Sequence, residues 1–185
     1  MSDTTYGTLL DRPRDEALGA FEIRFVPLDF VVHWRRCGLT ADYLGAAMAY
    51  AFERREAAAA VLSTVINELV ENAVKFSDDK RTEARVSVVH DGDVLCVEAV
   101  NLTDAKRAGE LHAFAREFEH ADPEAMFLER VARTTRPGES ASGIGLLVLK
   151  KDYDATIGIR VRPVEGGRSE VTVQAVLTSE QVEAR

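Results

Sequence analysis

Cysteine is scarce in this 185-residue sequence: Cys37 and Cys96 stand far apart, with no metal-ligand spacing around either. That excludes a disulfide scaffold and a thiolate metal site, and it fits a reducing cytoplasm. There are only five prolines, one tryptophan and no Pro/Ser-rich linker, so nothing divides the chain into separate units. No apolar run approaches the length of about 18 residues needed to cross a bilayer. The longest, around Ala57 to Leu62, ends at Ser63 and Thr64. The Met-Ser-Asp-Thr-Thr start has neither a basic nor an apolar leader region, so neither export nor a membrane partner is expected. Positive charge is also in deficit: 23 Lys and Arg face 31 Asp and Glu, a formal net charge of −8. The basic residues are scattered, which argues against nucleic-acid binding and leaves a protein partner open.

What remains is 46% hydrophobic and 29% charged, ordinary for one globular domain with a real core. Residues 1–20 are polar and are expected to be loosely held, with a single domain over 21–180. Phe21 to Val26 alternates as a half-buried strand does, and Phe30 to Trp34 reads as the second arm of a hairpin turning at Pro27–Asp29. Thr40 is placed to cap a helix running to about Arg54. In that helix Tyr43, Leu44, Met48 and Phe52 are expected in the core rather than against a partner. A longer helix follows from Glu56 to Phe76, with Val61, Leu62, Val65, Ile66, Leu69, Ala73 and Phe76 along its buried stripe. Arg85–His90 and Val94–Val100 read as strands joined at Asp91-Gly92-Asp93. His90, at a strand end, is expected at the surface. Residues 101–138 are polar and helix-prone, either a mobile lid or a fixed helical pair. A glycine turn and an apolar helix come next, then strands at about Thr156–Arg162 and Ser169–Leu177. This order predicts an α+β sandwich: a mainly antiparallel sheet with helices on one face.

Two constellations could carry chemistry. On the long helix, Glu68, Asn72 and Lys75 stand at i, i+4 and i+7 and share a face. A carboxylate, a carboxamide and an ammonium in a row suit a metal-bound phosphate, with Glu68 as base, Asn72 offering oxygen to Mg²⁺, and Lys75 neutralising charge. From the spacing alone, a solvated face with an ordinary Glu71–Lys75 pair is the commoner reading. Further on, Ser142-Gly143-Ile144-Gly145-Leu146 opens an apolar helix. Glycines there let backbone N–H groups approach a phosphate at the positive end of the helix, although a packed turn looks the same.

Together, in this order and about seventy residues apart, the two patterns resemble the GHKL superfamily, the histidine-kinase-like ATPases with a Bergerat fold. Glu68-Leu-Val-Glu-Asn72-Ala-Val-Lys75-Phe76 looks like the family's N box, and Ser142-Gly143-Ile-Gly145-Leu146-Leu147 like its later glycine box. Residues 101–141 fall where the family has its ATP lid. The resemblance implies Mg-ATP held between helices and sheet, with Glu68 as general base, Asn72 as Mg²⁺ ligand, and Lys75, Ser142, Gly143, Gly145 and Leu146 around the nucleotide. The family's Asp-x-Gly-x-Gly box is absent. Its place reads Asn101-Leu102-Thr103-Asp104-Ala105, and Asn101 stands where the aspartate accepts the adenine amino group. An amide oxygen still accepts, without charge assistance.

None of His33, His90, His112 and His120 sits on a phosphoacceptor helix. A standalone domain of this type resembles the anti-sigma-factor serine kinases, whose partners are of the STAS (anti-sigma antagonist) type. Two functions are therefore expected in competition: an ATP-binding regulator that phosphorylates a serine or threonine of such a partner, or a partner-sequestering switch that has lost its nucleotide. A homodimer is compatible with either.

Overall fold

The computed structural model describes residues 3–11, 17–134 and 143–184. Six strands form one antiparallel sheet: β1 (Thr4–Gly7), β2 (Gly19–Phe25), β3 (Ala84–His90), β4 (Val94–Thr103), β5 (Thr156–Pro163) and β6 (Ser169–Thr178), in the spatial order β1-β5-β6-β4-β3-β2. The helices are α1 (Pro27–Val32), α2 (Arg35–Met48), α3 (Arg55–Phe76), α4 (Ala105–His120), α5 (Pro123–Thr134), α6 (Ile144–Tyr153) and α7 (Ser179–Glu183). This is the two-layer α+β sandwich that the element order predicts.

The core lies on one face of the sheet because the strands alternate. Val86 and Val88 of β3, Leu95, Val97 and Ala99 of β4, and Val171, Val173 and Ala175 of β6 point toward the helices. Against them lies α3, whose Leu62, Val65, Ile66, Leu69 and Val70 are fully buried. At 22 residues α3 has the length and hydropathy of a membrane span, but half of its apolar window is buried inside the fold. On its outer side, α2 comes close where Gly45 lies against the α3 backbone at Ala59 and Ser63. The opposite face of the sheet is polar, and residues 8–11 cross it. There the Gln174 carboxamide both donates to and accepts from the Leu10 backbone, at 3.1 and 2.9 Å.

Five expectations are corrected, the first being that Tyr43 packs in the core: it is exposed on the outer side of α2, while Leu44, Met48 and Phe52 are buried. The arm at Phe30–Trp34 is not a strand: Pro27 opens the short helix α1, where its fixed φ suits the first turn. Helix α2 starts at Arg35, not at Thr40, and stops at Met48 in a 3₁₀ turn over Ala49–Ala51, short of Arg54. The N-terminal segment contributes β1, registered Thr4↔Val161 to Gly7↔Gly158 against β5. His90 is only 3% exposed, covered by the Phe52 ring at 4.7 Å and by Ser179. The insert after β4 forms the helical pair α4 and α5.

Candidate functional site

The C-terminal end of α3 is pinned to the end of β4, and this pinning sets the site. Thr103 donates its hydroxyl to the Phe76 carbonyl at 2.9 Å, and the Asp78 amide donates to the Leu102 carbonyl at 3.1 Å. Lys80 folds back to donate to the carbonyls of Val74, Lys75 and Ser77 at 2.6–2.9 Å, serving carbonyls that the last helical turn leaves open. Its partial burial lowers the ammonium pKa. From β4 the chain enters α4 through Asp104, whose carboxylate caps the Arg107 amide at 2.8 Å.

Between α3, β4, β6, α4 and the start of α6 lies an apolar cavity of about 60 Å³. Leu69, Ala73 and Phe76 of α3 line it together with Asn72, which follows from their helical spacing. Asn101, 6% exposed, stands on its β4 wall beside Thr103. The Asn101 side-chain N–H donates to the Leu102 carbonyl at 3.3 Å, which leaves its oxygen as the acceptor. Gly143, at φ +87°, forms the N-cap of α6, and Leu146 closes the cavity from the first turn.

Glu68 is half-buried one turn before Asn72, and its carboxylate lies so close to Gly145 that a methyl group there would strike it. Burial, then the negative charge of Glu71, pushes the Glu68 carboxyl pKa up, with Lys75 opposing. A carboxyl of raised pKa beside a cavity and a helix N-terminus is the arrangement expected of a proton acceptor.

The structure thus brings Asn72, Asn101, Gly143 and Leu146 to one cavity and sets Glu68 and Gly145 beside it. Lys75 goes elsewhere. Its ammonium pairs with Glu71 at 2.7 Å and lies 5.4 Å from the centre of the Trp34 ring, the plain i, i+4 pair that the spacing also allowed. Ser142 lies outside the described residues. Sequence reasoning missed Arg107, Glu110, Leu111 and Phe114, all from α4 and all lining the cavity. The capping aspartate at Asp104 was the available signal for where that helix begins. Phe114 occupies the space that the glycine turn leaves: its ring lies against Gly143, with Phe118 at 5.2 Å and the Arg130 guanidinium 4.7 Å above it. Arg107 donates to the Ser77 carbonyl at 3.0 Å, with Asp104 at 3.6 Å.

With this geometry in view, a chain in the crystal structure of the SiaB–SiaC complex from Pseudomonas aeruginosa is similar, with a TM-score of 0.60. The likeness is one of fold. Identity is 18%, and the match covers 89% of this chain and 92% of that one. No family model and no curated protein matches the sequence.

Proposed function

We propose that this chain is a nucleotide-binding regulatory protein of the GHKL type that binds a partner protein of the STAS type and phosphorylates a hydroxyl on it. The observation that carries this reading is the convergence of Asn72, Asn101 and the Gly143 turn on one cavity, with the Glu68 carboxyl at its edge. The fold neighbour, solved as a complex of two proteins, supports the partner half of the reading.

These residues fit an adenine nucleotide at both ends. The free Asn101 oxygen suits an exocyclic amino donor, and the Gly143 turn with the first amides of α6 suits phosphate oxygens. Asn72 has the oxygen donor needed for Mg²⁺. Bound Mg-ATP supplies the transferable phosphoryl group. Asn101 and Thr103 orient the base, the α6 turn holds the phosphate end, and Glu68 takes the proton from the acceptor hydroxyl. The Phe114 ring stands against Gly143 and must turn aside to admit such a ligand. That ring and the occupied Lys75 favour the second reading, a switch that binds its partner with the pocket closed.

Calorimetric titration with ATP and Mg²⁺ separates the two. Micromolar binding that needs Mg²⁺ and is lost in Asn72→Ala is the expected result. No binding at millimolar nucleotide would leave the switch alone standing. If transfer occurs, Glu68→Ala should cut its rate by about 10²–10⁴-fold while sparing partner binding. Unchanged transfer would remove Glu68 from the chemistry.

A further inference from the structure

Helix α4 stands between two spaces. On one side Arg107, Glu110, Leu111 and Phe114 face the apolar cavity. On the other, Ala115, Phe118 and Glu119 face a cleft of about 250 Å³, walled across from them by β1 and the start of β5. A helix packed to interior density on both sides has nowhere to go without strain. The unfilled cleft gives α4 room to draw back from Gly143.

Two hydrogen bonds from β1 span this cleft and hold the helix. The Tyr6 hydroxyl and His112 Nδ1 share one of 2.8 Å, with the two rings edge to face at 5.8 Å. The Gly7 amide donates to the Glu119 carboxylate at 3.1 Å. His112 and Glu119 are seven residues apart, so both bonds grip the same face of α4, two turns from one another. His112 also lies two residues before Phe114, the side chain whose ring fills the space at Gly143. The grip is thus applied beside the residue that closes the cavity.

The strand is set firmly enough to hold and lightly enough to let go. Gly7, at φ +65°, presses so closely on the Ile157 carbonyl that a side chain has no place there, which fixes the end of β1 against β5. Yet β1 is only four residues long, lies at the edge of the sheet and has one neighbouring strand. Such terminal edge segments are the first to open in a native protein. The ends of α4 are tied independently of β1. Arg107 donates to the Ser77 carbonyl at 3.0 Å, and Lys150 donates to the Phe118 carbonyl at 3.1 Å.

We propose that β1 is a strap that holds α4, and with it the Phe114 ring, closed over the cavity through the Tyr6–His112 and Gly7–Glu119 bonds. It is an autoinhibitory contact between the first strand and the cavity wall. Releasing the two bonds lets α4 draw back into the cleft and uncovers the Gly143 turn. The strap governs entry to the cavity whatever ligand enters it.

Hydrogen–deuterium exchange of the full chain, read by mass spectrometry, tests this. The variant is Tyr6→Phe/Glu119→Ala, which removes both bonds while keeping the Tyr6 ring and the backbone pairing of β1 with β5. Exchange in α4 should rise about ten-fold, the worth of the two bonds lost, with α3 and the β3–β4 hairpin unchanged. Unaltered exchange in α4 overturns the inference. So does a rise shared by α3, because that marks a general loss of stability rather than the release of one helix. Calorimetric titration with Mg-ATP gives a second readout. Affinity that increases by the same factor supports the strap, since a larger fraction of the chain is then open to ligand. Affinity that stays constant while α4 loosens overturns it. If neither chain binds nucleotide, the nucleotide reading falls and the exchange result alone decides the strap.

Discussion

Glu68 holds its carboxyl where water is scarce and Glu71 is near, and both raise its pKa above the ordinary glutamate range. The linkage follows from the sign. Between the unfolded pKa and the higher native one, the folded chain binds more protons, so stability falls as pH rises through that interval. Glu68→Gln removes this cost and should raise the neutral-pH melting temperature, read by calorimetry. The gain should vanish at low pH, where wild-type Glu68 is protonated, and a variant less stable than wild type at neutral pH would contradict this. If Glu68 is the base, partner phosphorylation should also fall at a higher pH than an ordinary glutamate would give. His90 has the opposite sign. Burial holds its imidazole pKa below the ordinary histidine value, so its stabilising neutral form is fully present above that range and is lost on acidification. Burial likewise pushes the Cys37 thiol up to about 11, leaving little thiolate to react.

Among the elements, the α2–α3 contact depends on one missing side chain. A methyl group at Gly45 would sit 2.8 Å from the Ser63 amide nitrogen and 3.1 Å from the Ala59 carbonyl oxygen, backbone atoms that cannot turn aside. Gly45→Ala should therefore cost about 1–3 kcal/mol despite the better helix propensity of alanine. Urea unfolding measures it, and a stabilised variant would show that the helices are free to separate. Gly45 carries no such mark in the sequence, because a glycine inside a helix pattern looks the same whether or not another backbone presses on it. The β3–β4 hairpin was legible because alternation and Asp91-Gly92 agree, and α3 because its stripe from Val61 to Phe76 runs unbroken for about four turns. Helix α1 was not, since Phe30-Val-Val is apolar without a period and only the meeting of Phe30 with Phe25, ring centres 4.5 Å apart, fixes its inward face. In the candidate site, Asn72 and the glycine turn could be found from their spacing. The wedging of Phe114 against Gly143 depends on α4, which no local pattern places, whereas the turning of Lys75 toward Glu71 is the i, i+4 pair that the spacing also allowed.

At the scale of the molecule, the sheet is closed at one edge by residues from the far end of the chain. β1 covers the outer edge of β5, and residues 8–11 then cross the polar face past Gly158, where a Cβ would meet the Thr8 backbone. Deletion of residues 1–11 should uncover a flat strand edge, and aggregation followed by light scattering at equal concentration is the expected outcome. A truncated chain as monodisperse as the full one would mean the edge is guarded by other means. β1 spans a long stretch of sequence to reach its partner, since Thr4 pairs with Val161. At synthesis rates of about 5–20 residues per second, the first strand waits roughly ten to thirty seconds on the ribosome before its partner emerges. The sheet is thus finished by the oldest residues joining one of the youngest strands.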